Sequence, residues 1–291
     1  MKKILILGGS GLVGSTLIKY LPSEWKIFLT FNSNEVIIPN TESFKIDLLE
    51  NVEEITSLIK KIVPDYIVHT VAFPSVDFCE ENPTIADNLH VDATNLIAKV
   101  SNDINSKLIF LSTDAVFKGE LNKKYTENDM PDPINHYALT KLQAEKIILD
   151  SSKRNVVLRT SVIYGAHPKS RFTNWIISSL REKKTVDPFI DQYNSPTLVD
   201  DLAQVIFKIL IQDVSGLFHA TGPDCVNRYN FALMLAKEFK FDSQLIRPVT
   251  SLEKKQIALR PSSTCLNSSK LEQKLNFKFR NLKTGIEFIA S

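Results

Sequence analysis

A tyrosine and a lysine stand four residues apart, at Tyr137 and Lys141, in a stretch typical of the first turns of a helix. Residues at this spacing lie on one helical face, so the phenol and the ammonium can approach the same ligand. A nearby ammonium favours the phenolate and should lower the pKa of a tyrosine from its usual value of about 10. The pair therefore predicts a proton donor adjusted toward neutral pH, with Tyr137 as the acid.

A second polar group, Ser112, Thr113 and Asp114, ends the apolar run 108–112. If that run is a strand of a parallel sheet, its carboxyl end borders the ligand crevice. A hydroxyl at this place can hydrogen-bond a reacting oxygen, although a strand-end turn with a hydroxyl cap would have the same composition. Thr113 is therefore predicted as a further catalytic side chain.

The chain begins with a short apolar run, 4–7, and three glycines follow it as G-x-x-G-x-x-G, at Gly8, Gly11 and Gly14. This pattern between a strand and a helix is typical of dinucleotide binding. Gly8 would permit the tight turn, Gly11 the close approach of a diphosphate, and Gly14 the close packing of helix on strand. A turn that serves packing alone is the alternative.

The segment after the second apolar run, 26–30, carries Asn32 and Ser33 and has no acid before Glu35. NAD-dependent folds usually place a carboxylate there. The neutral residues would not repel a 2′-phosphate, which favours NADPH over NADH, although no arginine is available to bind it. Asp47 is predicted either to cap the following helix or to contact the adenine. The candidate cofactor-binding residues are Gly8, Gly11, Leu12, Val13, Gly14, Asn32, Ser33, Asp47, Leu48, Ala72, Tyr137 and Lys141.

These side chains need a frame, and the pattern of apolar residues supplies one. Short apolar runs alternate with helix-like segments, the runs at 4–7, 26–30, 66–72, 108–112 and 156–161 and the segments at about 11–20, 50–63, 83–101, 136–150 and 199–212. This alternation predicts an α/β fold with a doubly wound, Rossmann-like parallel sheet.

The pattern changes after residue 165, where irregular pieces separate helix-like segments near 172–182, 229–240, 267–275 and 282–289. We therefore expect a dinucleotide-binding domain, 1–165, and a smaller substrate-binding lobe, 166–291. The segment 197–220 is expected to return to the first domain.

Composition excludes several classes of protein. The 291 residues are 43% apolar and 23% charged, and 35 basic and 33 acidic residues are interspersed, which indicates neither a nucleic-acid partner nor a membrane partner. Only residues 4–7 precede the glycines, too short a run for a signal peptide. The cysteines, Cys79, Cys225 and Cys265, are odd in number and far apart, which predicts no disulfide framework, no zinc site and a cytoplasmic location. No metal site is predicted.

Several longer segments resemble one family. They are GGSGLVG (8–14), LSTDAVFKG (111–119), YALTK (137–141), LRTSVIYG (158–165), DQYNSPTLVDDLA (191–203), GLFHATGP (216–223) and RPSSTCLNSSKLE (260–272). Together they resemble the extended short-chain dehydrogenase/reductase superfamily, and within it the dTDP-4-dehydrorhamnose reductase family. The resemblance implies that Thr113, Tyr137 and Lys141 are catalytic and that the lobe after residue 165 holds a nucleotide-linked sugar.

The resemblance also implies substrate contacts, for which the candidates are Val76, Thr113, Asp114 and Arg260. Arg260 could bind a diphosphate with two hydrogen bonds, or form a surface salt bridge. His90 stands where the family commonly has an asparagine, and it could relay protons to Lys141 or simply pack. Other departures from the family pattern are Ala115 for tyrosine, Val162 for tryptophan and Phe78 for lysine.

The prediction is therefore an NAD(P)H-dependent reductase of a nucleotide-activated keto-deoxysugar, with dTDP-4-dehydrorhamnose as the favoured substrate. One alternative is an epimerase or dehydratase that recycles a tightly bound cofactor, which Asp114 would permit. Another is a non-catalytic NADP-binding regulatory subunit, similar to the beta subunit of methionine adenosyltransferase. A homodimer is left open.

Overall fold

A seven-stranded parallel sheet forms the centre of the computed structural model, which describes residues 1–35 and 37–291. Its strands are β1 (Lys3–Leu7), β2 (Lys26–Phe31), β3 (Thr41–Lys45), β4 (Tyr66–His69), β5 (Lys107–Thr113), β6 (Val156–Thr160) and β10 (Gly216–His219). They lie in the order β10-β6-β5-β4-β1-β2-β3. The predicted doubly wound parallel sheet is confirmed.

The central strands are apolar on both faces because helices cover both sides of the sheet. Residues 4–7 of β1 are fully buried, and all seven residues of β5 are buried. In register, Ile4 lies between Ile27 of β2 and Tyr66 of β4. The core therefore forms on both faces of these strands.

The helices of this layer arrangement are α1 (Leu12–Ile18), α2 (Val52–Ile62), α5 (Ala93–Asp103), α6 (His136–Ser151), α8 (Val199–Ile211) and α11 (Ser269–Leu275). Apolar residues of α1, α8 and α11 share one cluster, and those of α2, α5 and α6 share the other. Two short helices, α3 (Val76–Glu81) and α4 (Pro83–Asp87), precede a π-helical turn, Asn88–Asp92, that leads into α5.

Helix α2 shows how sequence places one of these elements. Its buried residues Ile55, Leu58, Ile59 and Ile62 follow the spacing of one helical face. Acidic residues occupy its first turn and basic residues its last turn, as the helix dipole favours. The helix therefore presents one apolar stripe to the sheet.

Strand order reverses between β4 and β2, which lie on opposite sides of β1. The loops that follow β1 and β4 therefore leave the sheet toward opposite faces, and a crevice opens between them. Ligands of doubly wound folds bind at this place.

The C-terminal region packs around a third apolar cluster, formed mainly by α7 (Arg171–Arg181), α9 (Arg228–Glu238) and α12 (Leu282–Ala290). Four short strands form two further pairs, β7 (Ile163–Tyr164) with β9 (Thr197–Leu198) and β8 (Tyr193–Asn194) with β11 (Val226–Asn227). The helix α10 (Ser251–Lys254) is a single turn. Within this half of the chain, β10 is a strand of the main sheet and α8 packs against that sheet. The predicted division into two domains stays a prediction.

The cysteine prediction is wrong. Cys225 and Cys265 form a disulfide between residues 40 positions apart in the sequence, with Cα atoms 5.4 Å apart. Their spacing contains no information about this approach, which the fold of the C-terminal region produces. Cys79 is free and buried. The cysteine content therefore no longer supports a reducing compartment.

In the part of the chain that the structure describes, no helix combines the length and the apolar character needed to cross a bilayer.

Candidate active site

The glycine turn after β1 is built by its backbone. Gly8 has a φ of 79°, in the left-handed region that glycine adopts most readily. The amide of Gly11 donates to the Gly8 carbonyl at 2.8 Å, which closes the turn. A Cβ on Gly14 would lie 2.6 Å from the same carbonyl oxygen. The first turn of α1 can therefore pack on the glycine turn only if residue 14 has no side chain.

A cleft of about 650 Å³ lies between this turn and the ends of β2 and β4. Most residues predicted to bind the cofactor line it: Gly8, Gly11, Leu12, Val13, Asn32, Ser33, Asp47, Leu48, Ala72 and Tyr137. Two others from that prediction, Gly14 and Lys141, lie outside its wall. The structure thus brings residues from four loops to one cleft at the switch point of the sheet.

Asn32 and Asp47, which both line this cleft, are joined by a hydrogen bond. The Asn32 amide donates to Asp47 Oδ2 at 3.0 Å, and Asp47 Oδ1 accepts from the backbone amide of Leu49 at 2.8 Å. Asp47 therefore fixes a local turn, while Asn51 is the N-cap residue of α2. Of the two predicted roles for Asp47, capping of α2 is wrong and adenine contact stays a prediction.

Tyr137 stands in the first turn of α6. The helix starts here because Asn135 is its N-cap, accepting from the Ala138 amide at 2.9 Å. The Asn135 amide also donates to the Leu259 carbonyl at 2.9 Å, which ties this helix start to the C-terminal region. The phenol is partly buried and lines the cleft.

In the ligand-free protein Lys141 does not lower the pKa of Tyr137, and its predicted effect together with an oxidised nicotinamide stays a prediction. Burial raises the pKa of Tyr137 to about 12, opposed by hydrogen bonding with Thr113. The Lys141 ammonium instead donates to the Leu111 carbonyl at 2.7 Å and lies 3.9 Å from the centre of the Phe110 ring. Burial lowers the pKa of Lys141 to about 7, partly offset by Glu145. Desolvation is thus the largest influence on the pKa of both side chains.

Thr113 and Asp114 form a buried network where β5 ends. The Thr113 hydroxyl donates to Asp114 Oδ1 at 3.2 Å and accepts from the Ala115 amide at 3.1 Å. Asp114 Oδ2 accepts from Ser161 Oγ at 2.6 Å, from Asn194 Nδ2 at 2.9 Å, and from the Thr264 hydroxyl.

The donors to this carboxylate come from four separate segments of the chain. Asp114 therefore holds Thr113 and the C-terminal segments in fixed relation. Its predicted substrate contact stays a prediction.

A second cavity, of about 730 Å³, joins the first one. Val76 and Arg260, two of the predicted substrate-binding residues, line it. Its wall holds four cationic side chains, Lys169, Arg171, Arg228 and Arg260, against one carboxylate, Asp187. Aromatic residues complete it: Phe172, Trp175 and Phe189. A ligand with both an anionic group and a flat apolar ring would match this wall.

Two arginines of this cavity are held differently. Arg260 donates to Asp77 Oδ1 at 2.9 Å and to the Ala258 carbonyl at 2.9 Å, so the predicted salt bridge exists, but at the cavity. The Arg228 guanidinium lies 5.1 Å from the Phe172 ring and has no hydrogen-bond acceptor in the described part of the chain. Burial lowers the pKa of Arg228 to about 10, opposed by the charge of Asp114. Sequence reasoning missed Arg228 because it looks like an ordinary first residue of a helix.

His90 lies on the π-helical turn and contacts two residues of α6. Its Nε2 accepts from the Phe73 amide at 2.9 Å, and Nδ1 lies 2.8 Å from the Thr140 hydroxyl. The ring also packs edge-on against Tyr137, with centroids 5.7 Å apart. Because an amide can only donate, Nε2 carries no proton and the imidazole is neutral. Burial lowers the pKa of His90 to about 3, so of its two predicted roles the structure favours packing.

Val162 is the one predicted departure with a backbone consequence. It lines the second cavity and has a φ of 39°, which is rare for a β-branched residue. Asn194 and Thr264 lie within segments that the family resemblance singled out, but their contact with Asp114 is visible only in the fold.

Comparison with known proteins agrees with this architecture. A family model, RmlD substrate binding domain, matches residues 1–290. A probable low-salt glycan biosynthesis reductase of Haloferax volcanii is 28% identical over 274 residues, 93% of this chain and 91% of the relative. Methionine adenosyltransferase 2 subunit beta of Rattus norvegicus is 33% identical over 281 residues, 93% of this chain and 82% of the relative.

The fold is similarly close to solved structures. A dTDP-4-dehydrorhamnose reductase from Bacillus anthracis, in complex with NADP, superposes with a TM-score of 0.88 at 25% identity and covers 99% of both chains. The resemblance to the short-chain dehydrogenase/reductase superfamily is thereby confirmed. Since the family model spans nearly the whole sequence, the chain belongs to the RmlD substrate binding domain family.

Proposed function

We propose that this protein is an NADPH-dependent reductase of a nucleotide-activated 4-keto-6-deoxysugar, with dTDP-4-dehydrorhamnose as the favoured substrate. One observation carries the proposal. Tyr137, a proton donor beside Thr113, lines a dinucleotide-type cleft that joins a cavity with four cationic side chains. The Haloferax volcanii and Bacillus anthracis relatives, both called reductases, support the same chemistry.

The residues of the first cleft fit NADPH. The glycine turn brings the backbone of Gly8 and Gly11 to the cleft without a side chain, and a Cβ at Gly14 would disrupt the turn. Asn32 and Ser33 carry no charge that would repel a 2′-phosphate, and a relative of known structure holds NADP. NADPH supplies hydride to the carbonyl carbon when it is bound.

Tyr137 would supply the proton. When the carbonyl carbon is reduced, its oxygen becomes an alkoxide, a far stronger base than a phenolate, so even a phenol with a pKa of about 12 can protonate it. Partial burial keeps Tyr137 protonated until that charge develops. Thr113 would donate a hydrogen bond to the same oxygen, for which its hydroxyl must turn from Asp114.

Lys141 would act after a change of partner. Its ammonium now donates to the Leu111 carbonyl, and it must leave this acceptor to contact a ribose hydroxyl of the cofactor. A fixed cation near Tyr137 would then stabilise the phenolate as it forms. We therefore assign Lys141 an electrostatic and orienting role.

The second cavity would hold the nucleotide sugar. Its cationic side chains match a diphosphate, and its aromatic rings offer a surface for a base. Arg260, held by its hydrogen bond to Asp77, is our candidate for a two-bond contact with phosphate.

The test uses purified protein, NADPH and dTDP-4-dehydrorhamnose, and follows the loss of NADPH absorbance. Stoichiometric consumption is expected, and its absence with this and related nucleotide keto-sugars would refute the proposal. Tyr137→Phe should lower kcat by about 10²- to 10⁴-fold, the range of general acid catalysis, while NADPH still binds. An epimerase or dehydratase would turn over substrate without net NADPH consumption.

The 33% identity to a methionine adenosyltransferase beta subunit favours a second candidate, a non-catalytic regulatory subunit. Its test is to mix the protein with a methionine adenosyltransferase catalytic subunit and measure complex formation and changed kinetics. The retained Thr113, Tyr137 and Lys141 favour the reductase, since regulation alone needs no proton donor. The homodimer and the cytoplasmic location stay predictions.

A further inference from the structure

A loop of the C-terminal region, residues 166–170, reaches across to the start of α1 and is fixed there by His167. The His167 Nε2 lies 3.0 Å from Ser15 Oγ, and the Lys169 amide donates to His167 Nδ1 at 3.0 Å. Because that amide can only donate, Nδ1 accepts, and Nε2 carries the proton that it gives to Ser15. The Ser15 hydroxyl in turn donates a hydrogen bond to the Gly11 carbonyl at 2.6 Å. The loop is thus bonded to the glycine turn.

This bonding places Lys169 where the two cavities meet. Lys169 lines both, together with Leu12, Pro74 and Ile163. In the described part of the chain it is the one cationic side chain in the wall of the first cleft. Among those residues its ammonium forms no salt bridge, and Asp187, the carboxylate in the wall of the second cavity, pairs with Lys254 at 2.8 Å instead. An unpaired cation on the wall of two joined cavities indicates an anionic ligand.

We propose that Lys169 binds a diphosphate oxygen of a ligand in these joined cavities, and that the hydrogen bond between His167 and Ser15 holds it in place. The inference rests on the proposed function, since NADPH and a nucleotide sugar both carry a diphosphate. It adds a side chain that sequence reasoning did not select. It also makes binding at the glycine turn depend on a loop of the C-terminal region.

Burial and the charges of Lys19 and Lys169 lower the pKa of His167, against the opposite effect of Asp200. The neutral form is also the one that the hydrogen bonds require. The loop therefore keeps its attachment at neutral pH.

The experiment compares Lys169→Met and Lys169→Arg with wild type. The NADPH dissociation constant is measured by fluorescence titration without sugar, and the KM for dTDP-4-dehydrorhamnose at saturating NADPH. Lys169→Met should raise the NADPH dissociation constant or the KM for the sugar by about 10-fold or more, because a charge-assisted hydrogen bond is lost. Lys169→Arg keeps the charge and should change the same constant much less. Lys237→Met, on an exposed face of α9, is the matched control and should change neither.

The two measurements identify the ligand. Weaker NADPH binding assigns the contact to the cofactor diphosphate, and a raised KM alone assigns it to the nucleotide sugar. Unchanged values for both overturn the proposal. Wild-type protein that bound neither ligand would refute the proposed function and this inference with it.

The attachment to Ser15 has its own test. Ser15→Ala should weaken binding of the same ligand by about 3-fold when Lys169 is present. It should have no effect in the Lys169→Met background, because Ser15 acts through Lys169. Ser178→Ala is a close control, since its hydroxyl also donates to the carbonyl four residues earlier, at 2.6 Å. Equal effects of Ser15→Ala in both backgrounds would show a purely structural role and contradict the attachment.

Discussion

Replacement of Lys141 by methionine should stabilise the ligand-free protein while it abolishes most activity. Lys141 is 2% exposed, and burial lowers its pKa from 10.5 to about 7. Keeping a charged group in such a place costs free energy, which methionine of similar shape does not require. The same ammonium is the proposed electrostatic partner of Tyr137 in the reaction.

The size and the pH dependence of this cost follow from the two pKa values. Between about pH 7 and pH 10.5 the unfolded chain binds more protons at this lysine than the folded chain, so the stability of wild type rises with pH. At about 1.4 kcal/mol per pKa unit, the cost is about 4 kcal/mol at pH 7 and about 2 kcal/mol at pH 9. Loss of the bond to the Leu111 carbonyl reduces the gain by about 1 kcal/mol at either pH.

Urea unfolding of both proteins at pH 7 and pH 9 measures the prediction. The variant should be about 3 kcal/mol more stable than wild type at pH 7, and this advantage should shrink by about 2 kcal/mol at pH 9. Groups that titrate equally in both proteins cancel in the difference. Lys237→Met, at an exposed position, should follow wild type at both pH values. A stability difference that is the same at pH 7 and pH 9 would refute the reasoning.

Three further outcomes are expected. Asp114→Asn should lower stability by about 2 to 4 kcal/mol in urea unfolding, because an amide cannot accept from every hydroxyl and amide donor around it. The value of kcat should also fall, because Asp114 no longer holds the segments around Thr113 in place. Gly14→Ala should abolish NADPH binding in a fluorescence titration, since its Cβ would lie 2.6 Å from a carbonyl oxygen. Cys225→Ser should lower the free energy of unfolding by about 2 to 4 kcal/mol, because the disulfide joins residues 40 positions apart. An unchanged urea midpoint would contradict this.

Much of the fold could be predicted because its signals are local. The apolar run of β5 is bounded by turn residues and is long enough for only one strand, so its burial on both faces follows directly. The glycine turn is also a local signal, because atoms close to Gly8 and Gly14 leave no room for a side chain at either position. These elements lie where the sequence pattern indicated.

The site was less predictable because its contacts join distant segments. The donors to Asp114 include Ser161, Asn194 and Thr264, and nothing in their spacing indicates a shared acceptor. The effect of Lys141 was predicted from charge alone, whereas its depth of burial, a property of the fold, decides its pKa. Cys225 and Cys265 likewise meet only through tertiary structure.

The carboxylate of Asp114 has a consequence for how the enzyme admits its substrate. It joins the end of β5 to three other segments of the chain, through Ser161, Asn194 and Thr264. A wide hinge opening would have to expose this buried anion and break several of its hydrogen bonds together, at a cost of several kcal/mol. Substrate exchange is therefore expected to proceed through motion of side chains at the entrance, with the two halves moving as one rigid body.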